Sequence, residues 1–277
     1  MKQKEFKQIV SVKAVVVVIG IALMSFSLYG QSIGDYRTSV GWGNFADAST
    51  WQTYTASGWQ NASVAPPTPF DKTIEINHYI YDNMSFVLSG TMLMGINGRL
   101  EVQNNHVFEV TQTGSLSLRW ISVNGGGYLL NRGTITSAGA GATIVLDQNS
   151  GVGSVLENHG SIDLEDDASN STYNLTVNTY SKVISGANGT ITGTGSCSTN
   201  GGGMYWEIAN SGGFSEAVQL EGPNDYTKAF FLFNGSSPQV TGSTMPNPIY
   251  GVTFANPAGT ALSKNISVDP WTSSITR

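Results

Sequence analysis

A short phrase recurs along the middle of this chain: Gly, one residue, Leu or Ile, then alternation. Its copies are NGRLEV (97–102), TGSLSL (113–118), RGTITS (132–137), HGSIDL (159–164) and NGTITG (188–193). The glycines 98, 114, 133, 160 and 189 stand 16, 19, 27 and 29 residues apart. LLNRGTIT (129–136) also aligns with LENHGSID (156–163). Short alternating segments at this spacing are expected of a solenoid, in which each coil buries its apolar side only against its neighbours. Loops inserted at one corner account for the uneven spacing. The glycine is expected to supply a positive φ at a tight corner, and Leu or Ile two positions on to point inward. A β-sandwich is the structural rival; it gives regular turns but no self-similar coils.

Composition agrees with many strands and many turns. Gly is 33 of 277 residues and charged residues are 12%, against roughly 25% charged in an ordinary soluble domain. Thr, Ser and Asn can serve the wet side of strands in place of charges. Cys197 is the only cysteine, so a chain of this kind is held by core and ladder hydrogen bonds rather than disulfides.

The first 30 residues read as a secretory signal peptide. Lys2, Lys4, Lys7 and Lys13 precede the apolar run Ala14–Leu28, and small residues follow. A transmembrane anchor, the rival, normally needs about 20 apolar residues, and this run is shorter. No membrane span is expected after removal of the leader. Its removal leaves 9 basic and 18 acidic side chains, a net charge of −9. That balance argues against a nucleic-acid partner, since phosphate binding needs basic surface.

Residues 31–77 differ from the rest. They hold Trp42, Trp51 and Trp59 and the proline-rich APPTPFDKTIEI. Prolines precede a strand or sit at an edge, and aromatics can cover the open end of a β stack. The segment is expected to be a cap, with residues 78–277 forming the solenoid. The three tryptophans are alternatively a sugar-stacking platform.

Two stretches resemble a known family. Trp42, Thr50-Trp51, the prolines and Asp71-x-x-Ile74 are one. The other runs from Phe233-Asn234-Gly235-Ser236-Ser237-Pro238-Gln239-Val240-Thr241-Gly242 through Val252-Thr253-Phe254-Ala255-Asn256 to Gly259, Leu262, Asn265, Ile266 and Val268. Together they resemble the secreted, adhesin-like parallel β-helix proteins of the Bacteroidetes, many exported by the type IX pathway. The resemblance implies an all-β chain, a right-handed parallel β-helix or related β-solenoid with an aromatic-rich N-terminal cap. It also implies a secreted or cell-surface location and a structural, adhesive role toward glycans or other surface proteins. Such proteins usually continue to a C-terminal sorting domain. This sequence stops at Arg277 after DPWTSSITR, so it reads as a truncated or N-terminal portion.

The densest polar cluster is His159, Asp163, Glu165, Asp166 and Asp167. Asp163 and Glu165 would share one face of a strand about 6.8 Å apart, within the separation used by inverting glycosidases. A polysaccharide lyase or hydrolase is therefore the first alternative function. The bland reading is a coil, because Ile162 and Leu164 alternate with the acids and His159 takes the place of Arg132 in the sister copy. No residue is assigned a catalytic role and no cofactor is expected. Glu165, Asp166 and Asp167 remain calcium candidates, and loops 165–172 and 210–226 are the candidate contact regions. His78, His106 and His159 have no zinc-ligand spacing. NGGGY (124–128) and NGGGM (200–204) lack the Lys and helix of a phosphate loop and read as wide turns.

Overall fold

The computed structural model describes residues 30–139, 141–165, 173–268 and 275–276. Residues 1–29, nearly all of the expected signal peptide, lie outside the described residues. The chain is 48% strand and 3% helix, wound into a parallel β-solenoid of about eight turns. Most strands go in rotation to three sheets of ten, seven and nine strands, parallel throughout except for the antiparallel N-terminal hairpin of the ten-stranded one. One full turn runs Ser115–Leu118, Trp120–Val123, Tyr128–Asn131 and then Thr134–Ser137, which lies in register beside Ser115–Leu118.

Alternation in the sequence becomes alternation in burial. Ile121 and Val123 face inward while Trp120 and Ser122 face out. Inward rows stack from coil to coil: Leu100, Ile121, Ile144, Leu175 and Cys197 form one row in the seven-stranded sheet. All five are fully buried. Phe86 and Phe108 stack in the same way, with ring centroids 5.7 Å apart.

The N-terminal cap is a hairpin that extends the ten-stranded sheet. Tyr36–Thr38 pairs parallel with Thr73–Ile76 on one side and antiparallel with Trp51–Thr55 on the other, and Gly58–Asn61 completes the edge. Trp51 closes the end of the core. It is 0% exposed, its indole N–H donates to the Phe45 carbonyl at 2.8 Å, and its ring meets Phe45 and Tyr36 edge-on. Cap and coils interpenetrate, because Trp42–Asn44 is already a parallel strand beside Tyr79–Asp82.

The repeat glycines do something other than what the sequence suggests. None of Gly98, Gly114, Gly133, Gly160 and Gly189 has a positive φ. Each instead lies against the backbone of the preceding coil. A Cβ on Gly160 would lie closer than 3.0 Å to Gly133 O, one on Gly133 to Gly114 O, and one on Gly189 to Asn158 O. The repeat keeps glycine so that two backbones can touch.

The aligned asparagines of the sister copies form a buried ladder. Asn131 and Asn158 are 0% exposed. Asn131 Nδ2 donates to Asn158 Oδ1 at 2.8 Å, and Asn158 Nδ2 donates to Thr190 O at 3.0 Å. Each amide oxygen also accepts the N–H of the glycine two residues on. Asn158→Ala strands Gly160 N–H and Thr190 C=O inside the corner. A loss of about 2 kcal/mol is expected, read as a lower urea midpoint with an unchanged slope.

Segment 210–226 is not the excursion expected of a loop. It forms the short helix Phe214–Ala217 and the strand Val218–Leu220, which joins the ten-stranded sheet. Phe214 packs edge-on against Trp206, Tyr226 and Phe231. Aromatic burial overrides the Gly- and Ser-rich composition of the segment.

Candidate functional site

The cluster is split: His159 lies apart from Asp163 and Glu165. Asp163 ends strand Ser161–Asp163 in the ten-stranded sheet, exposed, with Thr136 and Thr192 as its ladder neighbours. Leu164 is fully buried and Glu165 faces out beyond it. Their backbone is pinned: Glu165 N–H donates to Ser137 Oγ at 2.7 Å, and Glu165 O accepts from Asn174 Nδ2 at 2.9 Å. Glycoside hydrolysis uses two carboxyls that flank the scissile bond. The coils that flank Asp163 offer threonines there, so no further acid faces it from its ladder neighbours. Asp166 and Asp167 lie outside the described residues. Among the described residues, no three His, Cys, Asp or Glu side chains are grouped as metal ligands.

His159 belongs to the nine-stranded side, at the corner after Val155–Asn158. Its Nε2 lies 2.5 Å from Glu157 Oε1, and its ring lies over Gly186 of the next coil. Arg132, its counterpart, pairs with Glu109 at 3.2 Å. Both are partly exposed coil-corner pairs of the kind that contribute little to stability.

The three tryptophans do not form one platform. Trp51 must be struck from the sugar-binding set, because its ring is sealed in the core. Trp59 sits on the hairpin with the Arg37 guanidinium 4.4 Å from its ring centre and Tyr54 edge-on at 5.3 Å. Trp42 alone is freely presented, at 71% exposed. It lies on another sheet, the seven-stranded one.

That sheet brings together residues that the reading of the sequence passed over. Its outward rows place Trp42 beside Tyr79, then Arg99 and Trp120, and Asn44 beside Tyr81, then Glu101 and Ser122. Trp42 meets the Tyr81 edge at 6.3 Å, and Tyr81 meets Tyr79 at 5.0 Å. Arg99 lies over Trp120 at 4.9 Å. The Tyr79 hydroxyl donates to Glu101 Oε2, and Asn124 Nδ2 donates to Glu101 Oε1 at 2.6 Å. Burial and the Glu101 contact push the Tyr79 hydroxyl well above its ordinary pKa, so it stays a donor. Beyond Glu101 the surface dips into an open polar cavity of about 360 Å³ lined by Glu101, Gln103, Asn104, His106, Asn124 and Asn149.

The clue in the sequence was periodic. Tyr79, Arg99 and Trp120 recur 20 and 21 residues apart, each just before an inward Ile or Leu. A second cavity of about 370 Å³ lies by Val218–Leu220, with Phe214 and Tyr226 in its wall. No family model, curated protein or solved structure matches the chain.

Proposed function

We propose that this chain is a secreted or cell-surface, adhesin-like structural solenoid that contacts a glycan or a partner surface without turning it over. One contrast supports the reading. The exposed Asp163 has threonines as its ladder neighbours and Glu165 lies beyond the end of that strand, whereas the seven-stranded sheet displays a continuous aromatic and amide surface. Extended ladders suit this role because outward side chains can change while the inward rows hold the fold. The leader-like N-terminus supports export. The resemblance to adhesin-like β-helix proteins of the Bacteroidetes is part of the same proposal. Among the described residues no helix is long and apolar enough to cross a membrane.

The test is retention without turnover. The full chain is applied to immobilised polysaccharides and to intact cell surfaces, and the supernatant is assayed for new reducing ends and unsaturated sugar products. Retention with no product is expected. Product that accumulates with time and disappears in Asp163→Asn would replace this reading with the lyase or hydrolase one.

A further inference from the structure

We infer that the outward face of the seven-stranded sheet, from Trp42 through Tyr81 to the cavity beside Glu101, binds an uncharged oligosaccharide. The inference rests on the adhesive reading only in needing an exposed contact face. It commits that face to one place and one chemistry.

The tract has the two halves a pyranose needs. A sugar ring has a face of C–H bonds and a rim of hydroxyls. Trp42 offers a broad apolar ring that is 71% exposed and braced edge-on by Tyr81. Trp42, Tyr81 and Tyr79 are in ring contact, so the apolar surface is contiguous rather than a single exposed side chain. Bracing matters because a ring held in place loses little freedom on binding. The hydroxyl rim finds its partners further along. Glu101 is held by Tyr79 and Asn124, so its carboxylate is oriented yet keeps lone pairs for hydroxyl donors. Gln103, Asn104 and Asn149 add amides that both donate and accept.

Charge and length select the ligand class. Among the residues named, Arg99 carries one positive charge and Glu101 one negative, and Arg99 is engaged on the Trp120 ring. The cavity lining contains a carboxylate and no Lys or Arg. Within the cavity an acidic polysaccharide would meet that carboxylate with no Lys or Arg in the lining to offset it, on a chain whose acidic residues outnumber its basic ones. Length is set by the coils. Strands lie about 4.8 Å apart, so the four steps from Trp42–Asn44 to the loop after Thr143–Leu146 span about 19 Å. That is the reach of several sugar rings, not one.

Affinity electrophoresis of the full chain through soluble β-glucan, xylan, galactomannan and polygalacturonate tests this. Tryptophan-fluorescence titration with the oligosaccharides of any polymer that retards the chain gives affinities. Retardation by at least one neutral polymer is expected and none by polygalacturonate. Trp42→Ala and Tyr81→Ala should weaken binding about tenfold or more, with an unchanged urea midpoint for Trp42→Ala. Glu101→Gln should weaken it as well. Trp59→Ala, on a different sheet, should leave it unchanged. Retardation by polygalacturonate alone, or neutral binding indifferent to Trp42→Ala and Glu101→Gln, overturns the site. So does failure of every polymer to retard the chain. Retention on intact cell surfaces is measured separately, so the adhesive reading can survive the loss of this site.

Discussion

Gly160→Ala unfolds at a much lower denaturant concentration than the parent chain, or does not fold at all. The added Cβ would lie closer than 3.0 Å to the Gly133 carbonyl oxygen, to the Arg132 carbonyl carbon and to Gly133 N. Each of those is backbone in the preceding coil, so no side chain can swing away. The ladder from Thr134–Ser137 to Ser161–Asp163 starts at this corner, and opening the corner loosens its first bonds. Gly160 N–H also ties the corner to Asn158 Oδ1. A cost of about 3 kcal/mol or more is expected, at the upper end for overpacking. Gly202→Ala is the matched control. Its Cβ would meet nothing within 4 Å and its φ is not positive, so a change within about 0.5 kcal/mol is expected. Equal urea midpoints for the two variants would show that the repeat glycines are not needed for coil contact.

Asp82→Val makes the protein more stable, and the gain grows with pH. Asp82 points inward, 0% exposed, in register between Phe45 and Val102. Neither carboxylate oxygen has a hydrogen-bond partner. The Met84 amide lies near enough to oppose the effect of burial in part, but outside hydrogen-bond geometry. Burial raises the carboxyl pKa from 3.8 to about 8. The folded chain therefore keeps a proton that the unfolded chain releases. Stability is fully present below the unfolded value, falls as pH rises from about 4, and levels off above about 8. Roughly four units at about 1.4 kcal/mol each put the ceiling near 6 kcal/mol. Valine removes the titration and continues the Val102 and Val123 stack. Urea midpoints of parent and variant should be close at pH 4 and diverge steadily to pH 8, with the variant ahead by about 3 kcal/mol or more at the alkaline end. Parallel pH profiles for the two proteins would refute a buried, protonated Asp82.

The coil architecture was legible because it is local and periodic. Four copies of Gly-x-Leu/Ile mark entries into the ten-stranded sheet while NGRLEV enters the seven-stranded one, and the aligned NRGTIT and NHGSID became adjacent rungs joined through Asn131 and Asn158. The reason for the glycine was not legible. A positive φ and a close backbone approach leave the same letter in the sequence, and only the stacked coils distinguish them. Trp51 shows the same limit. Its neighbours in sequence are Thr50 and Gln52, yet Phe45 and Tyr36 bury it by closing over the core end. Segment 210–226 read as a loop because glycines and serines surround Phe214, whose partners Trp206 and Phe231 are strands of other coils.

By itself, then, the sequence determined that strands would alternate, that coils would repeat, and which side chains the repeat strands would turn inward. These follow from a two-residue period and short-range turn chemistry. Only the tertiary structure decided which outward residues share a surface. Trp42, Tyr81 and Glu101 lie far apart along the chain and meet because parallel coils stack about 4.8 Å apart in a fixed register. His159 and Asp163 are near in sequence and part because a corner turns between them onto two different sheets. In a solenoid, position across the coils rather than distance along the chain makes a site.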